Sequence, residues 1–480
     1  MNLMRQSGFI ALLLAVSVGA SGCATFKRTF HAPTKSAKET AAQGERISIV
    51  AFDDTVTPAE GLKGADFFLP DAQAVTQWSL PGGTLEQSMG NIQAGGKLSI
   101  AWKKGFGAKS GSVSHVTAPP VVADGKIYVM DGQVAISALN AKTGALIWKR
   151  NLHPKKKAEA QAFGGGLALA DGKLVVSSGF RFVAELNADT GKMLWQTNTE
   201  QPVHAAPTIA GGRIFVVAVD NTLLTFDLAT GAEGWTYQAL SEPARILGAS
   251  SPAVSGDTVV ASFGSGELVA LRTSNGNDLW NGALSRASRT NALSEIRDIP
   301  GRPVIYQGDV FAISHSGVFA ATDLRTGQVR WNLPLTGITS PLPAGDVVYV
   351  IDKAGKVYCI ARETGQAYWI QDLGEGRAKK TGLTLPSFGK AKPAKAAVEK
   401  RDADGKLRAK KIVRPIWSSP VLANGKLITA SDTGEMVVIN AKTGIVERSI
   451  KLGQAVTIAP IGVDGTLYVV TDEAQLIALR

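Results

Sequence analysis

The sequence predicts an all-β protein, an eight-bladed β-propeller built from four-stranded antiparallel blades. A unit of about forty residues recurs along the chain, and self-similarity at that period is typical of repeat folds such as propellers. Each unit opens with two apolar runs joined at a glycine. It closes with a Thr-Gly or Asn-Gly turn followed by a run that carries tryptophan. Radial repetition of such units leaves only short, protected sheet edges.

The stretch 118–148 shows one complete unit. Two short apolar runs are joined by an Asp-Gly pair at Gly125, and a third run ends before a Thr-Gly turn at Gly144. The fourth run contains Trp148. An Asp-Gly pair between β-rich runs predicts a two-residue hairpin, because glycine accepts the positive φ that such turns need. The unit is therefore expected to fold as a four-stranded meander.

The hairpin glycine marks the first three strands of the unit, which occur eight times, at Gly125, Gly172, Gly212, Gly256, Gly308, Gly345, Gly425 and Gly465. The eighth triplet has no fourth strand between it and Arg480. A strand without a triplet of its own lies upstream, in the run KLSIAWKK that contains Trp102. Pairing this strand with the C-terminal strands would close a ring over residues 95–480 and seal its edges.

The amino end has the pattern of a secretory signal. Residues 1–22 carry Arg5, a short apolar run and then small residues, and the apolar run is too short to span a bilayer. Ala20 to Cys23 resembles the lipobox at which bacterial lipoproteins are cut and acylated on cysteine. The alternative is ordinary signal cleavage with Cys23 incidental. Residues 23–46 are polar and predict a lipidated flexible tether, and the more apolar residues 47–94 are expected to pack on the ring.

The net charge of +11 comes mainly from one basic insertion. Residues 371–416 hold thirteen Lys or Arg and five Asp or Glu, and they double the spacing between the hairpins at Gly345 and Gly425. A basic surface is the electrostatic footprint of phosphate binding, so the net charge suggests a nucleic-acid partner until the location of the charge is considered. Here the blades are close to neutral, so we expect no nucleic-acid partner. The insertion is predicted to be a solvated loop or loose hairpin, with contact to an anionic surface as the alternative.

No catalytic or metal-binding motif is present. The five histidines stand far apart, and none has a zinc-ligand spacing. Apart from Cys23, the sole cysteine is Cys359, inside the apolar strand VYCIA, where a thiol behaves as a small hydrophobe. Phosphate-loop and nucleophile-elbow motifs are also missing. The sequence therefore predicts no enzyme activity, no metal and no cofactor.

The repeat A-L-N-A-x-T-G-x-x-x-W resembles the tryptophan-docking motif of pyrroloquinoline-quinone propellers, over about 97–480. The resemblance implies that the tryptophans are structural and fill the space between neighbouring blades: Trp102, Trp148, Trp195, Trp235, Trp280, Trp331 and Trp369. The seventh copy of the motif has Arg448 instead. Quinone-dependent dehydrogenases are the enzyme alternative, but the chain lacks their adjacent cysteine pair and calcium set.

The lipobox combined with eight repeats resembles the scaffold lipoproteins of the outer-membrane β-barrel assembly machine. That resemblance implies a non-enzymatic protein on the periplasmic face of the outer membrane, held there by its N-terminal lipid. It also implies binding to the POTRA domains of BamA, the barrel-forming subunit, and assistance to unfolded outer-membrane protein clients. A lipid-anchored protein that binds another envelope ligand remains the third alternative.

Two inter-blade loops correspond to the partner-binding loops of that family. The first supplies Arg245, Ile246 and Leu247, and the second supplies Arg297 and Asp298. Both loops depart from the family pattern, at positions Ala244, Leu247 and Pro300. An apolar anchor beside a charged residue fits the composition of a binding hot spot. The alternative is that Ile246 and Leu247 only pack between blades.

Overall fold

The computed structural model describes residues 55–111, 115–154, 162–241, 250–285, 296–374, 379–380 and 412–480. The predicted signal peptide at 1–22, the tether at 23–46 with Cys23, and most of the basic insertion lie outside these residues. Among the residues described, no helix is long and apolar enough to cross a membrane. One short 3-10 helix, Glu60–Leu62, precedes the strands.

Most strands form four-stranded antiparallel sheets, which we number as blades in chain order. The strands up to the end of blade 4 are β1 (Asn91–Ile92) and β2 (Ile100–Gly105); β3 (Val121–Ala123), β4 (Lys126–Met130), β5 (Ala135–Asn140) and β6 (Leu146–Asn151) in blade 1; β7 (Gly165–Ala170), β8 (Lys173–Ser178), β9 (Phe182–Asn187) and β10 (Met193–Asn198) in blade 2; β11 (Thr208–Ala210), β12 (Arg213–Val217), β13 (Thr222–Asp227) and β14 (Glu233–Gln238) in blade 3; and β15 (Ala253–Ser255), β16 (Thr258–Ser262), β17 (Glu267–Arg272) and β18 (Asp278–Ala283) in blade 4.

The remaining strands complete the ring and include a small hairpin in the insertion. They are β19 (Val304–Tyr306), β20 (Asp309–Ile313), β21 (Phe319–Asp323) and β22 (Val329–Leu333) in blade 5; β23 (Leu342–Ala344), β24 (Val347–Ile351), β25 (Lys356–Ala361) and β26 (Ala367–Asp372) in blade 6; the pair β27 (Lys379–Lys380) and β28 (Ile412–Val413); β29 (Val421–Ala423), β30 (Lys426–Ala430), β31 (Glu435–Asn440) and β32 (Val446–Lys451) in blade 7; and β33 (Ile461–Val463), β34 (Thr466–Val470) and β35 (Gln475–Leu479) in blade 8.

Blade 8 closes the ring as the sequence predicts. Its fourth strand is β2, which pairs antiparallel with β35, so that Ile100 lies opposite Leu479 and Trp102 lies opposite Ala478. Ser99 and Arg480 extend the pairing by exchanging both backbone hydrogen bonds, at 2.7 and 2.9 Å. The prediction of an eight-bladed β-propeller with four-stranded blades is confirmed.

The hairpins that open the blades have the predicted chemistry. In blade 1 the two turn residues, Asp124 and Gly125, have φ angles of 50° and 69°. Two successive residues at positive φ give a turn whose twist matches that of the flanking strands. The three inner strands of each blade are mostly buried, whereas the outer strand is much more exposed; in β6 only Trp148 is half-buried and the other five residues are exposed. The core therefore lies between blades.

Seven indoles join neighbouring blades, one at each junction except that between blades 7 and 8. Each Nε1–H donates a hydrogen bond of 2.7–3.2 Å to a backbone carbonyl beside the Thr-Gly or Asn-Gly turn of the following blade. The ring also lies directly on the glycine of that turn, where a Cβ atom would come within 2.4–2.9 Å of an indole atom. The donor and acceptor pairs are Trp102 and Lys142, Trp148 and Ala188, Trp195 and Leu228, Trp235 and Thr273, Trp280 and Leu324, Trp331 and Arg362, and Trp369 and Ala441.

Blade 7 has no indole at the tryptophan position, and the blade that follows it, blade 8, has no Thr-Gly turn. Arg448 in β32 is exposed and stands where the motif has tryptophan. In blade 8 the third strand β35 is followed by Arg480, and the fourth strand β2 comes from the other end of the chain. No Thr-Gly turn is formed there for an indole to cover. A groove lined by Gly95, Gly96 and Arg448 lies at this seam.

The segment 58–94 crosses the end of the ring that carries the hairpins. It makes hydrogen bonds with the innermost strand or its hairpin in all eight blades. The pairs, in blade order, are Trp78 with Val122, Ser79 with Leu169, Gln87 with Thr208, Leu85 with Val254, Glu86 with Ile305, Phe68 with Asp346, Ile92 with Asn424 and Val75 with Asp464. Trp78 and Leu80, each 5% exposed, anchor the middle of the segment in the core.

Candidate partner-binding face

The two ends of the ring are different surfaces. In blades 1 to 7 the links between strands one and two and between strands three and four share one end, which we call the hairpin face; in blade 8 the link between strands one and two lies at this end. The links between strands two and three and the connections from blade to blade share the other end, which we call the inter-blade face. The segment 58–94 crosses the hairpin face. The described ends of the two loops predicted to bind a partner, at Ser250 and Ile296, enter their blades from the inter-blade face.

The second loop is described from Ile296 onwards, and its two predicted contact residues differ in exposure. Arg297 is exposed, whereas Asp298 is only 2% exposed. The carbonyl of Asp298 accepts a hydrogen bond of 2.8 Å from the backbone N–H of His315. Ile299 is 1% exposed and packs in the core between blades 4 and 5. Arg297 is therefore exposed on a backbone that the two following residues, Asp298 and Ile299, hold in place. The Asp298 side chain itself lies beneath the surface.

The first loop lies largely outside the described residues, including Arg245, Ile246 and Leu247. The residues that follow it are buried: Ser250 is 3% exposed and Ser251 is 4% exposed. The next carbonyl, that of Pro252, accepts hydrogen bonds from Gln87 Nε2 at 2.9 Å and from Thr208 Oγ1 at 2.7 Å. The end of the first loop is thus fixed to the inner strand of blade 3 and to the crossing segment.

A histidine and a lysine meet across blades 5 and 6 beside the second loop. His315 Nε2 lies 2.8 Å from Lys353 Nζ, and each residue sits in the link between strands two and three of its blade. Burial and the nearby Lys353 ammonium lower the pKa of His315, so the neutral ring accepts a hydrogen bond from the lysine. The two residues are 38 positions apart, and no sequence motif marks the pair.

This pair predicts a stability that falls in mild acid. The folded-state pKa of His315 is lowered, so the unfolded chain binds the proton more readily, and stability is lost as pH falls below about 6.5. We expect the urea midpoint to drop between pH 7.5 and 5.5, and the drop to be smaller in His315→Gln. Lys353→Met should reduce the drop only in part, because the burial of the ring remains. An unchanged drop in His315→Gln would contradict this assignment.

The described residues offer no metal centre and no activated thiol. No three His, Cys, Asp or Glu side chains in this part of the chain are grouped so that they could hold a metal ion. Cys359 in β25 is fully buried, and burial raises the pKa of its thiol far above the ordinary value. A protonated, buried thiol is neither a good nucleophile nor a metal ligand. Cys359 fills the core between blades 6 and 7.

The geometry defines the class of the protein as a closed eight-bladed propeller of the tryptophan-docking type. A family model described as "Outer membrane protein assembly factor BamB" matches residues 131–371 and 394–480. The chain therefore belongs to the BamB family. The match begins just after the second strand of blade 1 and ends with blade 8, so it includes most of the ring.

Relatives and solved structures agree with this family. The chain is 23% identical over 374 residues to BamB of Escherichia coli K12, covering 77% of this chain and 85% of the relative. It is also 23% identical over 355 residues to BamB of Moranella endobia, covering 70% and 89%. The crystal structure of BamB from Moraxella catarrhalis has a TM-score of 0.64 at 17% identity, covering 80% of this chain and 99% of that one. Quinohemoprotein alcohol dehydrogenase from Comamonas testosteroni has a TM-score of 0.62 at 14% identity, covering 85% and 81%, and this likeness concerns the fold alone.

Proposed function

We propose that this protein is a non-enzymatic scaffold in outer-membrane protein assembly, which binds the POTRA domains of BamA and assists unfolded outer-membrane protein clients. The observation that carries the proposal is membership of the BamB family over most of the ring. We further propose that Cys23 is lipidated and holds the protein at the periplasmic face of the outer membrane, since two acyl chains or more give stable anchoring. The curated relatives are named as outer membrane protein assembly factors.

The form of the inter-blade face supports a docking role. Blades 4 and 5 share a core, so the described ends of the loops that precede them, at Ser250 and Ile296, belong to neighbouring blades. Arg297 is exposed there on a backbone that Ile299 fixes in the core. A contact residue on a fixed backbone loses no backbone freedom on binding, which favours affinity. The first loop adds Ile246 as the proposed apolar anchor, with Arg245 and Leu247 beside it.

Arg297→Glu should weaken binding to purified BamA POTRA domains by about ten-fold or more, which corresponds to ~1.4 kcal/mol. The matched control is Arg325→Glu, which makes the same charge change at an exposed position of the same blade but on the hairpin face. Affinity is measured by calorimetry or surface plasmon resonance, with unfolding midpoints recorded for both variants. Ile246→Asp tests the first loop in the same assay. Asp298 is not a suitable site, because its burial would mix folding with binding effects.

Two results would count against the scaffold proposal. Equal affinity in the parent, Arg297→Glu and Ile246→Asp would show that these loops do not form the docking surface. Failure of the parent to retain the POTRA domains would favour an envelope ligand of another kind. The quinoprotein alternative is checked by adding pyrroloquinoline quinone and calcium and following dye reduction, for which we expect no turnover.

A further inference from the structure

Equivalent residues, one from each blade, together form a layer that lines the central channel. It lies five residues before the first turn residue of the opening hairpin, and seven blades place a small residue or proline there. These seven are Pro119, Gly166, Ala206, Ser251, Ser340, Ser419 and Ala459, and blade 5 has Arg302. Neighbouring members are in contact: the N–H of Arg302 donates to Ser340 Oγ at 3.0 Å, and the N–H of Ser340 donates to Ser419 Oγ at 2.8 Å. Arg302 is therefore the one large, charged residue among the eight equivalent positions.

The channel holds a cavity of about 250 Å³ next to Arg302 on the side of the inter-blade face. Its lining includes seven members of the layer, His204 and the exposed Thr117 and Thr457, which connect it to solvent. None of the described residues that line it is acidic. A water molecule takes about 30 Å³ of the liquid, so this space is large enough for a small ion with several waters.

The guanidinium of Arg302 has no counter-charge among the described residues. Its Nε is buried without a hydrogen-bond partner, and Arg302 makes no ion pair there. Burial lowers the pKa of Arg302 to about 10, so the group is still charged at neutral pH. Arg302 as a whole is half-buried. A charge held partly away from water without a counter-charge is costly to a fold, and proteins ordinarily pair it with an anion.

We propose that the cavity beside Arg302 binds a small oxyanion, a carboxylate or a phosphate. A guanidinium presents parallel N–H donors whose spacing matches two oxygens of either group. The hydroxyl oxygens of Ser340 and Ser419 each accept a backbone N–H, which leaves their O–H protons free to donate towards the cavity. The arrangement thus offers one positive charge and hydroxyl donors, without a competing carboxylate in its described lining.

Binding of inorganic phosphate and of malonate is measured by calorimetry and by the thermal midpoint, with chloride at matched ionic strength as the reference. We expect both anions to raise the midpoint of the parent above that in chloride. Arg302→Met keeps an unbranched apolar stem and removes the guanidinium and its charge. It should bind both anions at least ten-fold more weakly. In chloride its midpoint should exceed that of the parent, because the uncompensated charge is gone.

Arg325→Met removes an exposed charge of the same blade on the hairpin face and should respond like the parent. If Arg302 only supported the channel wall, Arg302→Met would have a lower midpoint in every buffer and an unchanged response to the anions. That result, or a parent that responds to neither anion, would overturn the proposal. A response to malonate alone would identify a carboxylate site, and one to phosphate alone would identify a phosphate site. The outcome does not depend on POTRA binding.

Discussion

Deletion of residues 475–480 should prevent the ring from closing. These residues form β35, which lies between β34 and β2, so its loss leaves β2 with no partner. Leu476, Ile477 and Leu479 are each fully buried. Each such side chain contributes about 1.5–3 kcal/mol, and the sum is comparable with the whole stability of many domains. We expect the truncated protein to lose its cooperative urea transition and to be digested by protease at concentrations that leave the parent intact.

A disulfide between positions 99 and 480 should stabilise the same junction. Ser99 and Arg480 exchange both backbone hydrogen bonds, and residues paired in this way have Cα atoms about 5.5 Å apart, within the range of a disulfide. In the double variant Ser99→Cys and Arg480→Cys, oxidation should raise the urea midpoint, with about 2–4 kcal/mol typical for a disulfide. The reduced protein is the control, and Cys359 is too deeply buried to compete. An unchanged midpoint in protein whose disulfide has formed would mean that the bond strains the folded junction, and would contradict the paired geometry of Ser99 and Arg480.

Most strands and turns of the ring could be predicted from the sequence, because short stretches of residues specify them. The hairpin at Gly125 and the turn at Gly144 need positive φ, and glycine supplies it wherever the repeat returns. Counting strands then identifies β2 as the missing partner of β35. The closing seam follows the same logic: Arg448 replaces tryptophan where the next blade has no turn to cover.

The crossing segment could be expected to pack on the ring, but its path could not be predicted. It is held mainly by backbone hydrogen bonds, such as those between Trp78 and Val122, and these leave no periodic side-chain pattern. The sequence also could not predict which loop residues are exposed. Arg297 and Asp298 are adjacent, and only Arg297 is on the surface. Arg302 could have been found by aligning the residues before each inner strand, because seven blades have none of its size or charge there.

Gly231→Ala should destabilise the ring strongly through the contact between blades 2 and 3. Gly231 has a φ of 70°, which costs alanine about 1–2 kcal/mol. The added Cβ would also lie 2.4 Å from Cε3 of Trp195. That indole is fixed by its hydrogen bond to the carbonyl of Leu228, so it cannot move away freely. Overpacking of this kind adds about 1–3 kcal/mol, and we expect a total loss of about 2–5 kcal/mol in urea unfolding.

Gly212→Ala separates the two causes of that loss. Gly212 is in the same blade and has a φ of 72°, but nothing lies within 4 Å of an added Cβ. Its substitution should cost only the backbone term, about 1–2 kcal/mol. The difference between the two variants therefore measures the contact with Trp195, and in a Trp195→Ala background that difference should largely disappear. Equal losses for Gly212→Ala and Gly231→Ala would mean that the Trp195 ring moves aside without a loss of stability. Glycine at the turn would then be needed only for its positive φ.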